Sequence, residues 1–238
     1  MVFEPDDGRP PRAGIVLFHG GALRAGSPEG LAPHCRELAS RGILAVSAGY
    51  RLLGQDAASI DDCLTDVRRS LHRFTRLAAS RGLDASRLAA GGSSAGAHLA
   101  LVAALTTQAP GVTSLVALNP AGLDLCSLEP AQQRDLEHRI GIAPDRLAEF
   151  SLIEQVRPGN PRTLIHHRTH DEIEPIDAVR RFRDAMTRAG NDCTLLEYEH
   201  AKHGFHYDSD HARDVLATTT RFLLDESTSP ASGNFELL

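Results

Sequence analysis

An α/β fold, a mostly parallel sheet covered by helices on both faces, is what this sequence of 238 residues predicts, on three observations. Short apolar runs alternate with longer stretches of helical period. The connections between them are short for most of the chain. Three of the helical stretches run into glycine, at Gly42, Gly82 and Gly190, where a left-handed C-cap favours that residue.

The strands follow in order. The runs at 13–19, 43–50, 87–92, 114–120, 162–167 and 193–198 each hold a short apolar stretch of adjacent residues, as in "IVLF" or "LVAL". That pattern suits strands buried on both faces of a parallel sheet. Helices are expected between them at 28–42, 59–82, 95–108 and 175–190, with a last one at 209–226. The stretch between Pro120 and Asn160 is too long for a simple strand–helix connection. It is expected to hold two or three short helices and to form a small helical lid, about 121–158, over the carboxyl end of the sheet. The whole reads as one domain over 1–225, and the polar, turn-rich tail 226–238 as disordered.

Composition sets bounds on function. With 42% hydrophobic residues the chain can bury one sizeable core, and a net charge of −6 gives no attraction to nucleic acid or to an anionic membrane. No apolar run approaches the length of a bilayer span, and the opening "MVFEPDDGRPPR" does not read as a signal peptide. Cys35, Cys63, Cys126 and Cys193 lie far apart, which suits reduced, mostly buried thiols in a cytoplasmic protein. One lysine, Lys202, among 25 basic residues points to a GC-rich coding genome and so to a bacterial source.

The chemistry centres on "GGSSAGAHLA", 91–100. A serine becomes a nucleophile when it sits on a sharp strand-to-helix turn, with small residues two places before and after because strand and helix approach closely there. Ser94 has Gly92 and Gly96 in those places; Ser93 has Gly91 and Ala95, a poorer version of the pattern. An oxyanion site is expected from "HGGAL", 19–23, directly after the first strand, with Gly21, Ala22 and Ala95 giving their N–H groups. Ala22 stands where a third glycine is usual, and it keeps its donor if its φ is negative. His19 is expected to brace this loop. An acid and then a histidine should follow the serine at carboxyl ends of strands: Asp171, just past 162–167, and His203, after 193–198.

These motifs resemble the α/β-hydrolase fold esterase/lipase family, most of all its compact acetyl-esterase, feruloyl-esterase-like and hormone-sensitive-lipase-like members. The resemblance rests on "HGGA", "GYRL", "GGSSAGAHLAL", "PRTLIHHRTHDEIEP" and "YEHAKHGF" and covers nearly the whole chain. It implies Ser94 as nucleophile, His203 as base and Asp171 as acid, with no metal and no organic cofactor. It further implies a small-molecule ester as partner, and the lightly capped architecture suggests short acyl groups such as acetyl. Small esterases of this kind often pair, so a homodimer is compatible with it. Asp171 holds the family position four residues before Pro175, which favours it over Glu172 and Glu174.

Two other activities fit the same motifs. An arylformamidase or peptidase-like amide hydrolase would use the same triad, although that group has an aromatic H-G-G-Y-W loop and this chain has no tryptophan. A ligand-binding protein on a hydrolase fold is the non-enzymatic alternative. Arg168 departs from the family, which usually has glycine there. Its side chain is expected in solvent, the alternative being a preference for an anionic acyl or leaving group. Only 18 residues precede His19, so the pocket roof should come from 121–158 or from a partner subunit. His166 and His167 point to opposite faces of a strand and do not suggest a metal site. His206 and His211 are expected at the surface, Arg51 and Asp66 as a buried pair, and Asp84 as a turn or cap residue.

Overall fold

A computed structural model describes residues 1–6, 8–107, 111–199, 203–208 and 210–225. The segment 226–238, expected to be disordered, lies outside the described residues, as does Lys202. The strands are β1 (Val2–Phe3), β2 (Ala13–Phe18), β3 (Ile43–Ala48), β4 (Leu88–Ser93), β5 (Ser114–Leu118), β6 (Arg162–Arg168) and β7 (Cys193–Tyr198). The α-helices are α1 (Ala32–Ala39), α2 (Ile60–Ser80), α3 (Ala95–Thr107), α4 (Pro130–Ile140), α5 (Leu147–Phe150), α6 (Ile176–Arg188), α7 (Phe205–Asp208) and α8 (Asp210–Leu223).

The strands form one sheet in the order β1-β3-β2-β4-β5-β6-β7, parallel throughout except for β1. The edge strand β1 pairs antiparallel with β3, Val2 opposite Val46, and the sequence reading has no strand there. Two residues are too few to show a period, and the prolines at 5, 10 and 11 hide the pairing.

Alternate side chains of each central strand enter two different cores. On β2, Val16 and Phe18 belong to the core that also takes residues of α2, α3 and α6, while Ala13, Ile15 and Leu17 belong to the one that takes residues of α1 and α8. Each fully buried Phe or Leu stabilises the fold by about 1.5–3 kcal/mol. Helix α2 buries Ile60, Cys63, Leu64, Val67, Leu71, Phe74 and Ala78. That three-to-four-residue spacing makes a single apolar stripe. Helix α3 is different, because the sheet, α2 and the excursion enclose it, and Ala97 and 99–105 are all buried. Gly42, Gly82 and Gly190 take φ of +83°, +75° and +80° at the ends of α1, α2 and α6, as a left-handed cap requires.

The excursion 121–158 has two parts of different character. Helix α4 buries none of its residues and ends in Gly141 at φ +75°. After it, Ile142, Leu147, Phe150 and Leu152 enter the same core as α3. The Leu152 and Ile153 amides donate back to the carbonyls of Gly122 and Leu123 at 3.1 and 2.9 Å, tying the end of the excursion to its start. Among the described residues no helix is long and apolar enough to cross a membrane.

Candidate active site

The close approach at the turn after β4 is what demands glycine there. A Cβ on Gly92 would stand 2.3 Å from the Phe18 carbonyl oxygen, and one on Gly96 would stand 2.3 Å from both the Phe18 and His19 oxygens. The chain therefore turns from β4 into α3 directly against β2, and Ser94 takes the strain of the turn, with φ +50°. Its N–H donates to Leu118 O at 2.9 Å and its carbonyl accepts the His98 amide at 3.0 Å. Ser93 is buried at the end of β4, whereas Ser94 is partly open.

The structure brings Ser94, His203 and Asp171 together. His203 Nε2 lies 3.2 Å from Ser94 Oγ, and His203 Nδ1 lies 2.7 Å from Asp171 Oδ2. The network assigns the tautomer: Nδ1–H donates to the carboxylate, which leaves Nε2 free to accept the serine proton. Asp171 follows β6 and has a fully buried side chain. Burial alone would raise its pKa. The hydrogen bonds from His203, from the amides of Glu174 and Ile173, and from Arg168 outweigh that and hold the carboxyl well below the usual carboxylate range. A hydroxyl, an imidazole and a buried carboxylate in this order can pass a proton from the first to the second while the third steadies the charge.

The loop after β2 lies beside this constellation. A Cβ on Gly20 would be 3.3 Å from both Ser93 Oγ and Ser94 Cβ. His19 stacks on Tyr50, ring centroids 4.5 Å apart, and Tyr50 Oη donates to His19 O at 2.9 Å, so His19 braces the loop from beneath. Gly21 turns the chain at φ +118°, and its carbonyl takes the Arg24 and Ala25 amides at 3.0 Å each. A Cβ there would fall 2.1 Å from Ala25 O. The negative φ set as a condition for the Ala22 donor is not met: Ala22 sits at +52°, followed by Leu23 at +63°, so the sign of φ does not decide whether its N–H is free. The turn closed on the Gly21 carbonyl winds the chain left-handed, and burial of Leu23 helps to hold it so. Among the described residues no hydrogen bond engages the Gly21 or Ala22 N–H. Ala95 opens α3, where the first N–H groups have no partner within the helix.

Three side chains and one ion pair lie where the sequence did not place them. Arg168 is not in solvent: its side chain is 15% exposed and its Nε donates to Asp171 Oδ2 at 2.7 Å. Nor is His206 at the surface. Helix α7 turns it inward against His34, and burial pushes its pKa down to about 3. Arg51 and Asp66 do pair at 2.8 Å, though only partly buried, at 35% and 19% exposure. The fourth is Asn119, at φ +45° just past β5, which the sequence reading passed over. Its Oδ1 accepts the Arg168 amide at 3.0 Å and its Nδ2 donates to the His203 carbonyl, so it joins the segments that carry Asp171 and His203. The signal available was an asparagine at the carboxyl end of a strand, on the same sheet edge as the elbow, the sharp turn that carries Ser94.

The remaining polar groups fall into place. Asp84 caps the turn before β4, accepting the Ser86 amide at 2.7 Å. His166 bonds Tyr198 Oη at 2.8 Å on one face of the sheet, while His167 Nε2 bonds Glu174 O at 2.9 Å on the other. Glu174 reaches the excursion, taking the Gly122 N–H at 2.7 Å. Arg24, in the loop after β2, donates from Nε and Nη2 to the Arg139 carbonyl at 3.1 and 2.5 Å, which joins that loop to the end of α4. A cleft of about 530 Å³ lined by Leu105, Gln155 and Asn160 lies at the far end of α3 and contains none of these groups.

Residues 15–160 match a family described as alpha/beta hydrolase fold. Among solved structures, the chain is similar to the esterase Est2 of the planctomycete Thermogutta terrifontis in its propionate-bound form. The TM-score is 0.81 at 28% identity, over 98% of this chain and 90% of that one. Against the apo form of the same esterase the TM-score is 0.80 at 30% identity, over 94% and 88% of the two chains. Against that esterase phosphonylated by sarin it is 0.81 at 29% identity, over 94% and 88%. A sequence search of curated proteins gives no match.

Proposed function

The chain belongs to the α/β-hydrolase fold family, and on that premise we propose that it is a serine carboxylic-ester hydrolase acting on short acyl esters through Ser94, His203 and Asp171. The observation that carries the reading is the continuous relay from Ser94 Oγ through His203, at 3.2 Å, to the buried Asp171 carboxylate, at 2.7 Å.

Ser94 Oγ attacks the ester carbonyl as its proton passes to His203 Nε2. Asp171 holds the imidazole by Nδ1–H and stabilises the imidazolium. The oxyanion rests on the N–H groups of Gly21, Ala22 and Ala95; a donor of this type is worth about 3–4 kcal/mol of barrier. His203 returns the proton to the leaving alcohol, and water, activated by the same imidazole, then hydrolyses the acyl-enzyme. The left-handed turn at Gly21–Leu23 serves the oxyanion site by leaving two amides unengaged. The strain at Ser94 holds its side chain out from the backbone.

Short acyl groups are supported by the Thermogutta terrifontis esterase, which has been described with propionate and with butyrate bound. Attachment of phosphorus from sarin and paraoxon to that esterase supports serine chemistry in this chain. The end of α4, tied to the loop after β2 through Arg24, supplies the roof. Four unpaired cysteines support a cytoplasmic location.

Turnover of p-nitrophenyl acetate, butyrate and octanoate beside an N-formyl anilide tests the reading. The two short esters are expected to be cleaved fastest. Formanilide cleavage exceeding acetate cleavage would replace the ester reading by the amide one.

A further inference from the structure

One oxygen of Asp171 receives two donors that bear on its charge. Arg168 Nε and His203 Nδ1 each lie 2.7 Å from Oδ2, while Oδ1 takes the Ile173 and Glu174 amides at 2.8 and 3.0 Å. The carboxylate side chain is fully buried and that of Arg168 only 15% exposed, so little water screens the guanidinium from the site. Arg168 is also fixed in the backbone. It ends β6, pairs there with Tyr198 of β7, and gives its amide to Asn119.

In a Ser–His–Asp relay the acid's charge stabilises the imidazolium that forms when the serine proton is taken. Here that charge is already matched by a cation when the imidazolium forms. We propose that Arg168 is a positioning residue that locks the Asp171 carboxylate and, through its charge, lets His203 remain a neutral base to lower pH than the carboxylate alone would allow. The inference rests on the serine-hydrolase reading and adds to it what sets the strength of the base.

Among the described residues, the other titratable groups with shifted pKa around the cluster are His167 on β6, Glu174 in the turn after it, and His206 on α7. Burial lowers the pKa of both histidines, which favours their neutral forms, and it raises Glu174 to about 7. Its effect is shared by wild type and Arg168 variants, and the comparison between them isolates the guanidinium.

The test is a histidine-ring NMR titration of wild type, Arg168→Met, Arg168→Gln and Arg168→Lys, with the His203 signal assigned by its loss in His203→Gln. It is run beside the pH profile of kcat/KM for p-nitrophenyl acetate. In the Met and Gln variants the His203 midpoint and the acid limb of the profile are expected to move up together by about one pH unit. Lys, which keeps the charge, is expected to return them toward wild type. Gln retains a donor for Oδ2, so it separates charge from hydrogen bonding and serves if the Met variant does not fold. An unmoved midpoint in folded, neutral variants of an active enzyme overturns the inference and leaves the hydrolase reading standing. A shifted midpoint in a protein that cleaves no ester does the opposite.

Discussion

The carboxylate of Glu174 accepts the Gly122 N–H at 2.7 Å, which ties the turn that carries Asp171 to the first residues of the excursion. The same residue gives its amide to Asp171 and its carbonyl to His167. Burial raises Glu174 from 4.5 to about 7, against the pull of the Gly122 and Leu123 amides. The folded protein therefore binds this proton more tightly than the unfolded chain. Its contribution to stability is full below about 4.5 and is lost as pH rises through about 7. Glu174→Gln removes that dependence. Thermal melts should show the variant gaining on wild type between about pH 5 and about pH 8, by on the order of 2–3 kcal/mol. Parallel pH curves for the two proteins would contradict this.

Asn119 holds the acid and base segments together, and Asn119→Ala leaves the Arg168 N–H and the His203 carbonyl without their partner. Stability is expected to fall by about 2 kcal/mol in urea melts. The catalytic loss should appear in kcat, roughly tenfold to a hundredfold, with KM little changed, because the defect is in the position of the base rather than in binding. An effect confined to KM would place Asn119 in substrate binding instead.

Two glycine substitutions should separate close approach from backbone conformation. In Gly96→Ala the added Cβ meets two carbonyl oxygens at 2.3 Å, both belonging to β2 and the loop after it, and neither can move alone. Loss of more than about 3 kcal/mol, or of the folded state, is expected. Gly159, at φ +83°, has open space around it, so Gly159→Ala should cost only about 1–2 kcal/mol. Equal costs in the two variants would mean that the elbow is less tightly packed than these distances imply.

How much of this was legible in the sequence depended on whether a feature was local. The central strands announced themselves because two-sided burial makes them continuously apolar, as in Ile15–Phe18. The elbow was legible because Gly92 and Gly96 are demanded by a contact that recurs wherever a strand turns sharply into a helix. Helix α4 was expected only as one of two or three short helices without bounds, since it fully buries none of its residues and only Leu136 and Ile140 pack partly against the core. The sign of φ at Ala22 was left open, because it is set by the turn closed on the Gly21 carbonyl and not by alanine's own preference. Arg168 and His206 were assigned to solvent on residue type. Their burial comes from partners distant in the chain or in a turn: the Asp171 carboxylate for one, His34 on α1 for the other. Asn119 bonds to residues 49 and 84 positions away, a relation no local pattern records.

The central claim is that Ser94, and not its neighbour Ser93, is the nucleophile. The most direct measurement is fluorophosphonate labelling of wild type, Ser93→Ala and Ser94→Ala, read by intact mass beside p-nitrophenyl acetate turnover. Wild type and Ser93→Ala should each take one label and turn over the ester, and Ser94→Ala should do neither while remaining folded. Labelling retained in Ser94→Ala, or a folded wild type that takes no label, would contradict the account.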